Sequence, residues 1–209
     1  MKIILAAATS FELSKIDIQS KEKHFFIKLV HGIGLLSSVY ELTKAVLELK
    51  PDFIIQCGIV GAYRRDLNIG DSVLIKNEMI EVGVENQNHI EDLFDLHFLN
   101  PNDSPFEHKM LPNQFVQNLK TDFKKVNALT VQICSGTIDT IHKRIKKFHP
   151  DVESMEGASL HYVCLKNNIP FLQLKSISNY VEVRNKANWN IELALENNAL
   201  HLNQILKHI

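Results

Sequence analysis

The feature that most limits how this chain can fold is the repeated exchange of short apolar runs for longer stretches of helical periodicity. Lys2 to Ala8 reads as a buried strand, and His24 to Val30 as a second, partly alternating one. After His31-Gly32-Ile33-Gly34 a helix is expected from about Leu35 to Leu49, with Leu36, Val39, Tyr40, Thr43, Val46 and Leu47 on one face. Pro51 ends it. Phe53 to Gln56 is a short strand closed by Gly58 and Gly61, and Gly70-Asp71 turns into the strand Ser72 to Ile75. Val126 to Ile133 returns to strand and Thr140 to Phe148 to helix. Asp151 to Met155 leads into a helix from Glu156 to Lys166, and Pro170 to Lys175 is another strand. A last helix begins near Asn188, with Ile191, Leu195, Asn198, Leu202, Ile205 and Ile209 in one stripe.

Strands and helices in alternation predict an α/β fold, one domain over residues 1–209 in three layers, with helices on both faces of a central sheet. In such folds ligands gather at the carboxyl ends of strands. The stretch from about 85 to 112 is polar and aperiodic. A segment of that length inside a small domain is expected to be a lid or binding loop.

Composition narrows the partners. The chain carries 23 Lys plus Arg against 24 Asp plus Glu, so no basic surface offers itself to nucleic acid. A small molecule is the expected ligand. Cys57, Cys134 and Cys164 are widely spaced and form no CxxC, which suits a reducing, cytoplasmic setting and neither disulfides nor zinc. The apolar start is interrupted by Ser10 and Glu12, too early for a secretion signal, which needs about 7–15 apolar residues. No run approaches the roughly 18 apolar residues of a membrane span. The histidines, among them His89, His97 and His108, show no ligand spacing, so no metal or cofactor is expected.

The informative residues therefore sit at strand ends. Thr9-Ser10-Phe11-Glu12 is a capping-box pattern; the same Glu12 could also serve as an acid or base at the mouth of the sheet. His31-Gly32-Ile33-Gly34 is half of a dinucleotide fingerprint, but Asp52 begins the next strand instead of ending it, so a tight turn into the helix is the better reading. Gly58-Ile59-Val60-Gly61 fits either close layer packing or a ligand lying against bare main chain. Met155-Glu156-Gly157 marks a strand giving way to a helix, where a carboxylate favours the helix dipole. Ser176-Ile177-Ser178-Asn179 reads locally as turn and capping chemistry after a strand.

Taken together and in chain order, these pieces resemble one family, the purine nucleoside phosphorylases and nucleosidases. They are Glu12 after the first strand, Val30 to Gly34, Gly58 to Gly61, Ile69-Gly70-Asp71, Ser135-Gly136, Met155-Glu156 and Ser176 to Asn179. The resemblance implies a mixed, partly barrel-like sheet and a purine nucleoside as ligand. It implies that Glu156 holds the ribose hydroxyls, Met155 packs under the sugar, Glu12 activates water, and Ser178 and Asn179 read the base. Members commonly form homo-oligomers, so a dimer is expected. Asn179 departs from the adenine-directed members, which carry Asp there; an amide suits a 6-oxopurine instead. The run Ser178 to Asn185 with Trp189, Glu153 to Ala158 and Val82 to Glu85 resembles the futalosine hydrolase branch. That branch releases hypoxanthine on a route to menaquinone. Its substrate bears a carboxylate on the ribose substituent, for which Arg184 is the candidate partner. A phosphorylase would instead need a phosphate site, for which Arg64 and Arg65 are candidates. A nucleoside-binding module without catalysis is the remaining alternative.

Overall fold

The computed structural model describes residues 1–18 and 24–208. In chain order its elements are β1 (Lys2–Ala7), α1 (Ser10–Ser14), β2 (Phe25–Val30), α2 (Gly34–Leu49), β3 (Phe53–Gln56), β4 (Ile59–Ala62) and β5 (Ser72–Ile80). There follow β6 (Gly83–Glu85), β7 (Ile90–Asp92), β8 (Leu111–Pro112), α3 (Gln114–Asn118) and β9 (Lys124–Thr130). The chain continues with α4 (Ile138–Phe148), β10 (Val152–Ser154), α5 (Gly157–Asn167), β11 (Phe171–Tyr180) and α6 (Ile191–Ile205).

β2, β1, β3 and β11 lie side by side and run parallel. Beyond β11 the sheet continues through β4, β10, β9 and β5, and β5 pairs back onto β11, closing a ring of five strands. Pairs β4–β10 and β5–β11 are antiparallel, and β9 runs parallel to both β10 and β5. This is the mixed, partly barrel-like sheet that the resemblance implied.

Strand alternation explains the layers. Ile3, Leu5 and Ala7 of β1 pack with Leu202 and Ile205 of α6, while Ile4 and Ala6 pack with Leu42 of α2 and Leu160 of α5. A third cluster draws Val60, Val73, Val126, Val152 and Ile177 from all five ring strands, as expected when side chains fill a small barrel. Each fully buried Leu or Ile here is worth about 1.5–3 kcal/mol relative to exposure.

Four expectations change. The α2 residues that face the core are Ser38, Leu42, Ala45 and Val46, whereas Leu36 is 89% and Tyr40 65% exposed. Periodicity located an apolar stripe, but the smaller side chains are the ones that admit α5, whose Ser159 Oγ reaches Leu35 O at 3.3 Å. The strand from Pro170 does not stop at Lys175: β11 runs on to Tyr180, so Ser178 and Asn179 lie within a strand and not in a turn. Gly58 and Gly61 do not simply close the strand Phe53–Gln56: Ile59–Ala62 is itself a strand, and Gly61 takes its place in it between two neighbours. The last helix begins at Ile191, after a 3-10 turn at Lys186–Asn188, and Ile209 lies outside the described residues. Residues 85–112 include the β6–β7 hairpin and a run of turns anchored by buried Ile90, Phe94 and Leu111.

Candidate active site

At the carboxyl end of β1, Thr9 caps α1. Glu12 completes a capping box: its Oε2 accepts from Thr9 N at 2.9 Å and from Thr9 Oγ1 at 3.0 Å. The capping-box reading of Glu12 holds: Oε2 is tied to the cap, while Oε1 approaches Gly58. A methyl group built on Gly58 would lie 2.8 Å from Glu12 Oε1 and 2.9 Å from Lys175 Nζ. Gly58 also has a φ of +144°, a conformation that L side chains avoid, so glycine is required there twice over.

The His31–Gly34 turn holds a second carboxylate. Gly32 and Gly34 have φ of +82° and +80°, which lets the chain reverse into α2 and aim Gly34 N at Glu156 Oε1, 3.0 Å away. The turn thus positions Glu156 across 122 residues of sequence. His31 beside it accepts from Gln56 Nε2 at 3.1 Å and donates to Gly32 O at 3.0 Å. Burial, reinforced by Lys175, lowers its pKa to about 4, so it is a neutral hydrogen-bonding strut.

On β11, Ser178 Oγ donates to Asn179 Oδ1 at 2.8 Å, and Asn179 Nδ2 donates to Tyr180 O at 2.9 Å. These bonds set the amide's orientation and leave one N–H of Nδ2 for a ligand.

All of this converges on one cavity of about 460 Å³, within the size range of small-molecule sites. Glu12, Ile59, Gly61, Met155, Glu156, Ser178, Asn179 and Arg184 line it; Gly58 sits just behind, against Glu12. Among the described residues of 85–112, none lines the cavity. Arg64 and Arg65, the phosphate candidates, do not line it either. Arg64 pairs with Asp66 and Asp151, and Arg65 with Glu182. Phe11, Ile33 and Trp189 supply apolar wall.

Two ionisable residues behind the cavity wall escaped sequence reasoning. Lys175 is 2% exposed, with Cys57 O as a distant partner at 3.5 Å, and stands across Gly58 from Glu12. A lysine following Phe171, Leu172 and Leu174 in a buried strand was the available signal. Glu78, fully buried, donates nothing to the cavity lining but lies under Gly157, where an added methyl would sit 2.2 Å from its Oε2. Burial lifts its pKa to about 8, so near neutrality it is largely the uncharged acid.

Known proteins share this frame. A curated relative, the 5'-methylthioadenosine/S-adenosylhomocysteine nucleosidase of Staphylococcus aureus strain JH9, is 26% identical over 193 residues, covering 84% of this chain and 77% of that protein. The solved structure of native futalosine hydrolase from Helicobacter pylori strain 26695 matches with a TM-score of 0.80 at 17% identity, over 100% of this chain and 98% of that one. The 5'-methylthioadenosine/S-adenosylhomocysteine nucleosidase from Helicobacter pylori, solved in complex with a pyrrolopyrimidine-bearing pyrrolidinol, matches with a TM-score of 0.81 at 17% identity, over 100% of this chain and 99% of that one. The profile of the Phosphorylase superfamily spans residues 23–209, nearly the whole sheet and all but the first of the strand-end motifs, and the chain belongs to that superfamily.

Proposed function

We propose that this chain is a purine nucleosidase that hydrolyses the N-glycosidic bond of futalosine, releasing hypoxanthine and dehypoxanthine futalosine on the way to menaquinone. The observation that carries the reading is that Glu12, Glu156 and the Ser178–Asn179 pair line one cavity. Cleavage of such a bond passes through an oxocarbenium-like sugar, which carboxylates stabilise. Glu156, anchored by Gly34, is the ribose ligand, and Met155 beside it packs under the sugar. Glu12 keeps Oε1 free of the capping box to take a proton from the attacking water. Ile59, Gly61 and the main chain near Gly58 form the floor against which the nucleoside lies. An adenine-directed nucleosidase is the second reading, favoured by the name of the curated relative; the amide at Asn179 weighs against it.

Glycosidic cleavage is expected at equal rates with and without phosphate, because the basic side chains suited to an anion, Arg64 and Arg65, do not line the cavity and are engaged by Asp66, Asp151 and Glu182. The assay is product analysis with futalosine, inosine and methylthioadenosine in both buffers. A strict phosphate requirement, with a sugar phosphate as product, defeats hydrolysis.

Arg184 lines the exposed end of the cavity, its guanidinium 5.5 Å from the Trp189 ring centroid, with no ion-pair partner among the described residues. We assign it to the carboxylate on the substrate's ribose substituent. Arg184→Ala should then lower kcat/KM for futalosine about 10–100-fold, the worth of a charge-assisted hydrogen bond, and leave inosine nearly unchanged. Equal losses on both substrates remove Arg184 from the site.

The chain is further proposed to work as a homodimer. Leu36 and Tyr40 expose an apolar face of α2 that is continuous with Ile33, itself 62% exposed and lining the cavity. Sedimentation at micromolar concentration should give twice the 23.9 kDa chain mass. Tyr40→Glu should return it to a monomer, and a wild type that sediments as a monomer contradicts the proposal.

A further inference from the structure

Three adjacent ring strands put Glu153, Gly61 and Asn179 in a single row. Gly61 of β4 pairs with Glu153 of β10 on one side and with Asn179 of β11 on the other. Cross-strand partners project from the same face of a sheet, so two polar side chains flank a place where the middle strand has none. Their Cα atoms are two strand spacings apart, about 9–10 Å, which leaves room between the side chains for the edge of a purine ring. A methyl group on Gly61 would lie 3.0 Å from Val181 Cγ2, 3.3 Å from Asn179 Nδ2 and 3.7 Å from Glu153 Cγ, so the two polar groups face the same spot beside the apolar Val181. All three residues line the cavity.

Glu153 is held with unusual care. Its Oε2 accepts from Tyr63 Oη at 2.5 Å and Ser135 Oγ at 2.7 Å, and its Oε1 from Ser135 N at 2.9 Å. Burial and the Glu153 carboxylate both raise the Tyr63 pKa, keeping that hydroxyl a donor. Arg144, buried on α4, donates to Ser135 Oγ at 2.8 Å, which turns the serine proton toward Glu153. Glu81 in turn grips Arg144 through two bonds, at 2.9 and 2.5 Å. A carboxylate has about four acceptor positions, and this frame occupies three of them. The remaining one is on Oε1.

We propose that Glu153 reads the base, accepting the N1–H of a 6-oxopurine across Gly61 from the free N–H of Asn179, which serves the O6–N7 edge. This deepens the nucleosidase reading above and rests on it. Row and chemistry match: hypoxanthine presents an acceptor edge followed by a donor, and the wall presents a donor followed by an acceptor. Adenine carries a lone pair at N1, which would face the Glu153 carboxylate with no proton between them.

The test is titration calorimetry with three free bases: hypoxanthine, adenine, and 1-deazahypoxanthine, which has C–H in place of N1–H at nearly the same size. Wild type should bind the deaza base about 10–100-fold more weakly than hypoxanthine, the effect of leaving a hydrogen bond to a charged group unmade. In Glu153→Gln the two should differ by less than about threefold. Similar affinities for the two bases in wild type overturn the proposal. So does a large difference that persists unchanged in Glu153→Gln, since another acceptor would then be at work. If that variant does not fold, the wild-type ratio decides. Failure of all three bases to bind overturns the purine reading itself along with this one, whereas binding without discrimination overturns this one alone.

Discussion

Glu12→Gln is expected to lower kcat by about 10² or more, the worth of a positioned general base, while hypoxanthine affinity stays within a fewfold of wild type. The substitution is close to isosteric, and the capping box explains why the fold should survive it. The bonds from Thr9 N and Thr9 Oγ1 go to Oε2 alone, and an amide oxygen can accept both. What is lost is the basic atom at Oε1, beside Gly58 and Lys175, where an NH2 group cannot take a proton from water. A base contributes little to ground-state binding, so the loss should fall on kcat. Glu156→Ala is different in kind: it removes a ribose anchor present in ground and transition states, and should raise KM as well. Near-normal turnover in Glu12→Gln, measured with wild-type thermal stability, means that the residue is a helix cap and nothing more.

Those two carboxylates also show what could and could not be seen beforehand. The capping-box spacing of Thr9 and Glu12 was readable because it is local, and so were the strand ends near Ala8 and at Gln56, the first within one residue of where β1 stops. The tether from Gly34 to Glu156 was not, because 122 residues separate the partners and only the parallel packing of α2 beside α5 brings them together. The wrong face of α2 has the same origin. Leu36, Val39 and Tyr40 make a better apolar stripe than Ser38 and Ala45, and periodicity carries no information about which neighbour needs small side chains. Lys175 and Glu153 were missed for a related reason. Each is a charge inside an otherwise buried strand, and its meaning depends on a glycine elsewhere leaving space for it, Gly58 in the link between β3 and β4 or Gly61 in β4. Ser178 and Asn179 were located by resemblance, yet their bonds depend on β11 extending past Lys175 and bulging against β4 between Ile177 and Asn179.

That bulge places Asn179 where its chemistry should decide the base. Wild type is expected to prefer futalosine over aminofutalosine in kcat/KM by about 10–100-fold, and Asn179→Asp to narrow or reverse the preference. In wild type Ser178 Oγ fixes Oδ1 and the Tyr180 carbonyl fixes Nδ2, so the amide offers its one remaining N–H to the ligand. A 6-oxo group and N7 can both accept that hydrogen bond. A 6-amino group cannot, so the amino compound keeps only N7 as an acceptor for it, and turning the amide around to accept from the amino group would set Oδ1 against the Tyr180 carbonyl, two acceptors with no proton. Sites built to bond a substrate group can reject analogues lacking it by about 10⁴–10⁵ when several contacts depend on it; one amide should achieve less. In Asn179→Asp the oxygen that replaces Nδ2 meets the same carbonyl. That contact disfavours the carboxylate, so its pKa should rise above the usual carboxylate range; with nucleoside bound, the acid's single proton turns from the carbonyl to N7, whose protonation the departure of adenine requires. The measurement is kcat/KM for both nucleosides on both proteins, repeated across pH 5–8, with the aspartate variant losing aminofutalosine activity as pH rises through its own pKa. An unchanged preference in Asn179→Asp, or a wild type that favours the amino compound, shows that this residue does not select the base.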